Sequence, residues 1–128
     1  MKKLLVLLAA LLVVTGCASK SDGDNTLTVA TSPDYPPYEF HNKNAKDGEL
    51  PYLGSDIELA KYIADKMGKE LVIQAVEFPT IPAAISAKKY DLGISGFTYE
   101  AERAKQVDFS ISYDTSESAC QGILVKAT

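Results

Sequence analysis

Short apolar runs alternate with amphipathic stretches along most of this chain, and the period of each block predicts its element. Residues 27–31, Leu-Thr-Val-Ala-Thr, read as a first strand. The next segment carries Pro33, Pro36 and Pro37, which withhold backbone donors and cannot continue a central strand. Residues 39–40 and 51–53 predict a short hairpin around a polar tip at 42–49. Ile57, Ala60, Ile63, Ala64 and Met67 then recur at helical spacing, with Lys61, Asp65 and Lys66 off that face and Gly68 as a left-handed stop. Ser55 and Glu58 fit a capping box: the Ser55 hydroxyl accepts from the Glu58 N–H, and the Glu58 carboxylate accepts from the Ser55 N–H. Further on, 71–76 predicts a second strand and 80–87 a second helix with Ile81, Ala84 and Ile85 inward. Residues 92–95 predict a third strand, 100–106 a short third helix, and 122–126 a final strand. Strands alternating with helices predict an α/β layer fold with a mostly parallel sheet flanked by helices.

The beginning of the chain follows a different logic. Lys2 and Lys3 precede an apolar run at 4–14 and then Thr15-Gly16-Cys17, the order of a secretory signal. The run is shorter than the ~20 residues that a spanning helix needs. Val14-Thr15-Gly16-Cys17 resembles the bacterial lipobox, whose cysteine is diacylated and becomes the mature N-terminus. That resemblance implies a lipoprotein signal peptide at 1–16, lipid on Cys17, a flexible polar tether at 17–26, and an extracytoplasmic protein held at the cell membrane. A plain cleaved signal with an incidental cysteine is the alternative.

Thirteen basic and 17 acidic residues give a net charge of −4; without Lys2 and Lys3 the balance is 11 against 17, or −6. This mild acidity lacks the electrostatic footprint of nucleic-acid binding and the polybasic patch of a second membrane contact. With two cysteines, Cys17 and Cys120, a disulfide framework is excluded once Cys17 carries lipid. Cys120 is then a small semi-buried apolar residue or an exposed oxidisable thiol. After the tether, about 100 residues suffice for one domain and not for two.

The most informative chemistry lies between Asp91 and Ser110. An apolar run, Leu92 to Ile94, ends at Ser95-Gly96, where a ligand can approach the backbone closely. Thr98 and Arg103 follow, so a hydroxyl, free backbone groups and a guanidinium can converge at a strand end and hold a small carboxylate. This segment closely resembles the ligand-binding segment of the amino-acid-binding lipoproteins of ABC importers, extracellular solute-binding protein family 3. The resemblance runs from Leu27 to Lys126 and covers the first of the two lobes such proteins have, a type II periplasmic-binding-protein-like fold. It implies a first lobe at 27–128, truncated at the hinge, with the second lobe absent.

The resemblance also assigns roles. Tyr35 and Phe78 match positions whose rings pack over the ligand, although ordinary packing would also account for them. The Gly96 carbonyl would take the α-ammonium, and the Thr98 hydroxyl and N–H would donate to the α-carboxylate, with Ser95 in the same motif. Arg103 would clamp the carboxylate with two parallel bonds, against the alternative of an exposed pair with Glu100 or Glu102. Asp56 matches an acid near the pocket, or serves the helix dipole. Ser32 stands where several members, including binders of basic amino acids, carry aspartate, and Asp34 lies two residues on, so the side-chain specificity stays open. The expected partners are a free amino acid, the transmembrane subunits of an ABC permease, and the membrane through the lipid. Because the second lobe supplies an acid for the α-ammonium, this chain alone is expected to bind free amino acids weakly or not at all.

Catalysis, metal and cofactor are not expected. Gly93-Ile94-Ser95-Gly96 is followed by Phe97 where a nucleophile elbow needs glycine, and His41, the sole histidine, lies in a polar loop. Asp22-Gly23-Asp24-Asn25 begins like a calcium loop, but the closing glutamate position holds Pro33. P-loop, dinucleotide and zinc-type spacings do not occur. Three rivals remain. A periplasmic dehydratase on the same lobe would need a general acid, for which Glu77 or Asp34 could be nominated. A sensor or receptor module would need a transmembrane segment. A nonfunctional remnant would aggregate through an exposed sheet edge.

Overall fold

The computed structural model describes residues 25–114 and 121–127, so Cys17, Cys120 and nearly all of the tether lie outside the described residues. The main sheet has five strands: β1 (Thr26–Thr31), β5 (Glu70–Ala75), β6 (Leu92–Thr98), β7 (Val107–Phe109) and β8 (Gln121–Lys126). Their spatial order is β5-β1-β6-β8-β7. β1 runs parallel to both β5 and β6, while β8 runs antiparallel to β6 and β7. A second, three-stranded sheet joins β2 (Asp34–Tyr35), β3 (Glu39–His41) and β4 (Tyr52–Leu53), the last two forming the expected hairpin.

Strand alternation sorts the core onto two faces. Leu27, Val29 and Ile94 point to one side, against Ala60 and Ala64 of α1 (Ser55–Met67). Ala30, Phe97 and Leu124 point to the other, against Ile81 and Ile85 of α2 (Ile81–Ser86). The helices therefore cover opposite faces, which is the layered α/β arrangement the sequence pattern predicts. At Gly93 an added Cβ would lie 2.7 Å from Ile81 Cγ2, so glycine sets how closely α2 approaches β6.

α1 begins differently from the expectation. Its N-cap is Gly54, at φ 126, and no side chain caps it. The Ser55 and Asp56 N–H groups donate to the carbonyls of Pro37 and Tyr38, at 3.1 and 2.9 Å, and the Glu58 N–H donates to Gly54. The capping box does not form because the proline-rich loop already satisfies the helix start, and the Glu58 carboxylate pairs with Lys61 at 2.7 Å. Gly68 ends the helix in the left-handed region as expected, at φ 65. Met67 is 53% exposed, because the last turn of the helix runs past the sheet it would pack on.

Two further differences lie near the C-terminus. Residues 100–106 form no α-helix, only a 3-10 turn at Arg103–Lys105 in which nothing is buried. β6 extends three residues beyond the expected end, through Gly96, and β7 follows the turn.

Candidate functional site

β6 is the spine of the candidate site. Gly93 pairs with Leu124 and Phe97 with Gly122, so four residues of advance along β6 match two along β8. The resulting bulge takes residues 94–96 out of the regular ladder and turns Gly96 to φ 54, a conformation that favours glycine. Backbone groups that would otherwise hold a neighbouring strand are thereby redirected.

The surroundings fix this bulge from behind. The Ser95 hydroxyl accepts from the Ser32 N–H at 2.9 Å and donates to Glu39 Oε1 at 2.8 Å, which ties the loop after β1, β3 and β6 together. The Gly96 N–H donates to Asp56 Oδ2 at 2.7 Å, and the Tyr113 hydroxyl donates to the same oxygen at 2.8 Å. Asp56 is wholly buried in the first turn of α1, with its carboxylate on the Gly96 N–H. Glu39 is buried as well, at 1% exposure. Burial first of all pushes its carboxyl up to about 9; the Ser95 bond opposes this, while the charge and hydrogen bond of Asp56 and the charge of Asp34 add to it. Burial and then Asp56 raise the Tyr113 phenol, and the Tyr38 phenol is raised chiefly by its bond to Asp114.

In front of the bulge stand the exposed groups. Arg103 Nη1 donates to the Thr98 carbonyl at 3.1 Å and pairs with Glu100 at 3.1 Å, so the alternative pair with Glu100 exists while Lys105 takes Glu102. The guanidinium also lies 5.4 Å from the Phe78 ring, which stacks on Phe97 with centroids 4.5 Å apart. Phe78, Thr98 and Arg103 thus form one group beside Gly96. Tyr35, 52% exposed, stacks on Tyr38 at 5.3 Å at the rim.

Past the ends of β1 and β5 opens a cleft of about 420 Å³ lined by Ser32, Pro33, Asp34, His41, Val76 and Glu77, among others. The Ser32 hydroxyl donates to Asp34 Oδ1 at 3.3 Å, which brings the Asp34 carboxylate to the serine position. The cleft wall therefore carries two acids, Asp34 and Glu77, while Arg103 and Phe78 line a separate hollow with Pro79, Pro82, Glu102 and Gln106. Two acids on one wall can receive a cationic group.

Sequence reasoning missed Glu39 and Tyr113. A charged residue in a three-residue strand has no period to mark it as inward, and Tyr113 reaches Asp56 from 57 positions away.

Comparison with known proteins places this arrangement. ArtP, the arginine-binding extracellular protein of Bacillus subtilis, is 40% identical over 123 residues, covering 91% of this chain and 46% of ArtP. The cyclohexadienyl dehydratase of Pseudomonas aeruginosa is 31% identical over 87 residues, covering 68% of this chain and 31% of that enzyme. The chain thus spans less than half the length of each of these two relatives. The arginine-bound form of domain 1 from TmArgBP superposes with a TM-score of 0.70 at 38% identity, covering 80% of each chain. The sequence profile of the bacterial extracellular solute-binding proteins, family 3, matches residues 27–128, and the chain belongs to that family.

Proposed function

We propose that this chain is the first lobe of the substrate-binding component of an ABC transporter, and that its ligand is a cationic amino acid, L-arginine foremost. One observation carries the choice of ligand: the Asp34 carboxylate stands 3.3 Å from the Ser32 hydroxyl, in a cleft it shares with Glu77. Several members that this chain resembles, including binders of basic amino acids, carry an aspartate where it has Ser32, and in this reading Asp34 supplies the acid from two residues on. The head group then lies at β6, with the ammonium on the Gly96 carbonyl and the carboxylate between Thr98 and Arg103, and with Tyr35 and Phe78 flanking the aliphatic stem. The arginine-binding relatives and the arginine-bound domain 1 of TmArgBP support this reading. They favour binding over dehydratase chemistry. The arginine-bound form of a single domain of TmArgBP supports binding by one lobe, and of the expected weak or absent binding it favours the former.

Residues 1–16 are the signal peptide in this proposal, Cys17 carries the lipid, and 17–26 tether the lobe outside the membrane. The lobe presents the amino acid to the transmembrane subunits of the permease. Isothermal titration with L-arginine, L-lysine, L-citrulline and L-glutamate tests the ligand. Citrulline keeps the shape of arginine but removes the charge, and should bind about 10–150-fold more weakly for a lost charge-assisted bond of about 1.5–3 kcal/mol. Equal binding of citrulline or glutamate, or no binding by any basic amino acid, would overturn the assignment.

A further inference from the structure

We infer that Glu39 and Asp56 share one proton behind β6, and that this pair positions the Ser95-Gly96 step that faces the ligand. Both carboxyls are buried, at 1% and 0% exposure, and they hold the adjacent residues Ser95 and Gly96. Glu39 Oε1 receives the Ser95 hydroxyl, and Asp56 Oδ2 receives the Gly96 N–H and the Tyr113 hydroxyl. The other two oxygens, Glu39 Oε2 and Asp56 Oδ1, are buried and have no donor. Two carboxylates cannot both stay charged side by side in such a place. One proton between the orphaned oxygens satisfies both. The donor count decides where it sits: Asp56 receives two donors on one oxygen and Glu39 receives one, so Glu39 is the neutral partner that donates.

The other groups around the pair strengthen this assignment. Asp34 of β2, Tyr38 of the following loop, and Tyr113 and Asp114 after β7 are the titratable groups around Glu39 and Asp56, and the two aspartates are further acids. The ion pairs among the described residues, Lys61–Glu58, Arg103–Glu100 and Lys105–Glu102, involve neither carboxyl. A proton is thus the available means of neutralising the pair. Its consequence reaches the front of the strand: the Gly96 N–H points inward only while Asp56 is there to accept it. Asp56 keeps that place only while Glu39 donates to it.

The pair also makes the fold sensitive to alkali. Glu39 in the folded chain holds its proton up to about 9, against an ordinary value of 4.5. Between those values the folded state binds one proton more than the unfolded state, so stability falls as pH rises through that window. Above it, two adjacent charges would push β3, α1 and β6 apart.

Carboxyl ¹³C NMR on the wild-type chain tests the shared proton without any ligand: one glutamate resonance should remain in its neutral position at neutral pH and disappear in Glu39→Gln. The Gln amide donates to Asp56 without titrating, so this variant should fold and lose the decline in stability between pH 4.5 and about 9. Glu39→Ala leaves Asp56 Oδ1 unpaired and should weaken L-arginine binding about 5–150-fold. The inference is overturned if every glutamate carboxyl titrates in the ordinary acidic range, or if Glu39→Gln loses as much stability as the wild type between pH 4.5 and about 9. The arginine arm rests on the proposed function; the NMR and pH arms do not, so a failure of that function is told apart from a failure of the pair.

Discussion

Replacing Gly54 by alanine tests how firmly the proline-rich loop holds the start of α1. An added Cβ would lie 2.0 Å from the Tyr38 carbonyl oxygen and 2.8 Å from that of Pro37. These same carbonyls accept the Asp56 and Ser55 N–H groups, so the loop cannot retreat without breaking both bonds. Their loss amounts to about 0.5–1.5 kcal/mol each. The φ of 126 is outside the range alanine adopts freely, and this strain adds about 1–3 kcal/mol. Gly54→Ala is therefore expected to lose about 2–6 kcal/mol out of a total of about 5–15 kcal/mol for an ordinary domain. Gly68→Ala is the control: Gly68 also has a positive φ, of 65, but nothing lies within 4 Å of its added Cβ. That variant bears only the left-handed strain of about 1–2 kcal/mol. Urea unfolding followed by far-UV circular dichroism reads both variants against the wild type. If the two alanines destabilise equally, the loop does not brace the helix and the reasoning fails.

Three other outcomes are expected. Gly93→Ala should cost about 1–3 kcal/mol by overpacking against Ile81, and the double variant with Ile81→Leu, which lacks the Cγ2 methyl the new Cβ meets, should recover part of that loss in the same urea assay. Arg103→Lys keeps the charge but loses the planar donor set that a carboxylate would meet and the packing over Phe78, so calorimetry should show L-arginine binding weakened about 10–150-fold. The change in stability should stay below about 1 kcal/mol, since the Glu100 pair is a surface one. Cys17→Ser should abolish metabolic labelling with radioactive palmitate and release the protein from the membrane fraction; continued labelling would refute lipidation at that residue.

The main frame was legible because burial imposes a period on the sequence. Leu27 and Val29 alternate as a half-buried strand must, and Ile57, Ala60 and Ala64 follow the turn of a helix lying on a sheet. Ser95, Gly96, Thr98 and Arg103 sit close together in the chain, so one short segment carries much of the proposed site. Ser55 misled because a local rule lost to a distant partner, the loop carbonyls at 37 and 38. The helix expected at 100–106 had acids and an arginine but no apolar face to bury, and Tyr99 beside it is 61% exposed. Glu39 gave no signal, because what makes it important is contact with Ser95, 56 residues later, and that separation leaves no trace in local pattern.

The same separations have a kinetic meaning. Glu39 meets Ser95 across 56 residues, Asp56 meets Gly96 across 40 and Tyr113 across 57, and Tyr38 meets Asp114 across 76. Each such contact closes a long loop, and the entropy of closure is lost before the contact can repay it. The corner behind β6 should therefore assemble late, after β1, α1 and β6 are already in register. Substitutions there should leave the folding rate almost untouched and accelerate unfolding instead. The grip behind the binding strand would then govern how long the folded chain lasts, more than how quickly it forms.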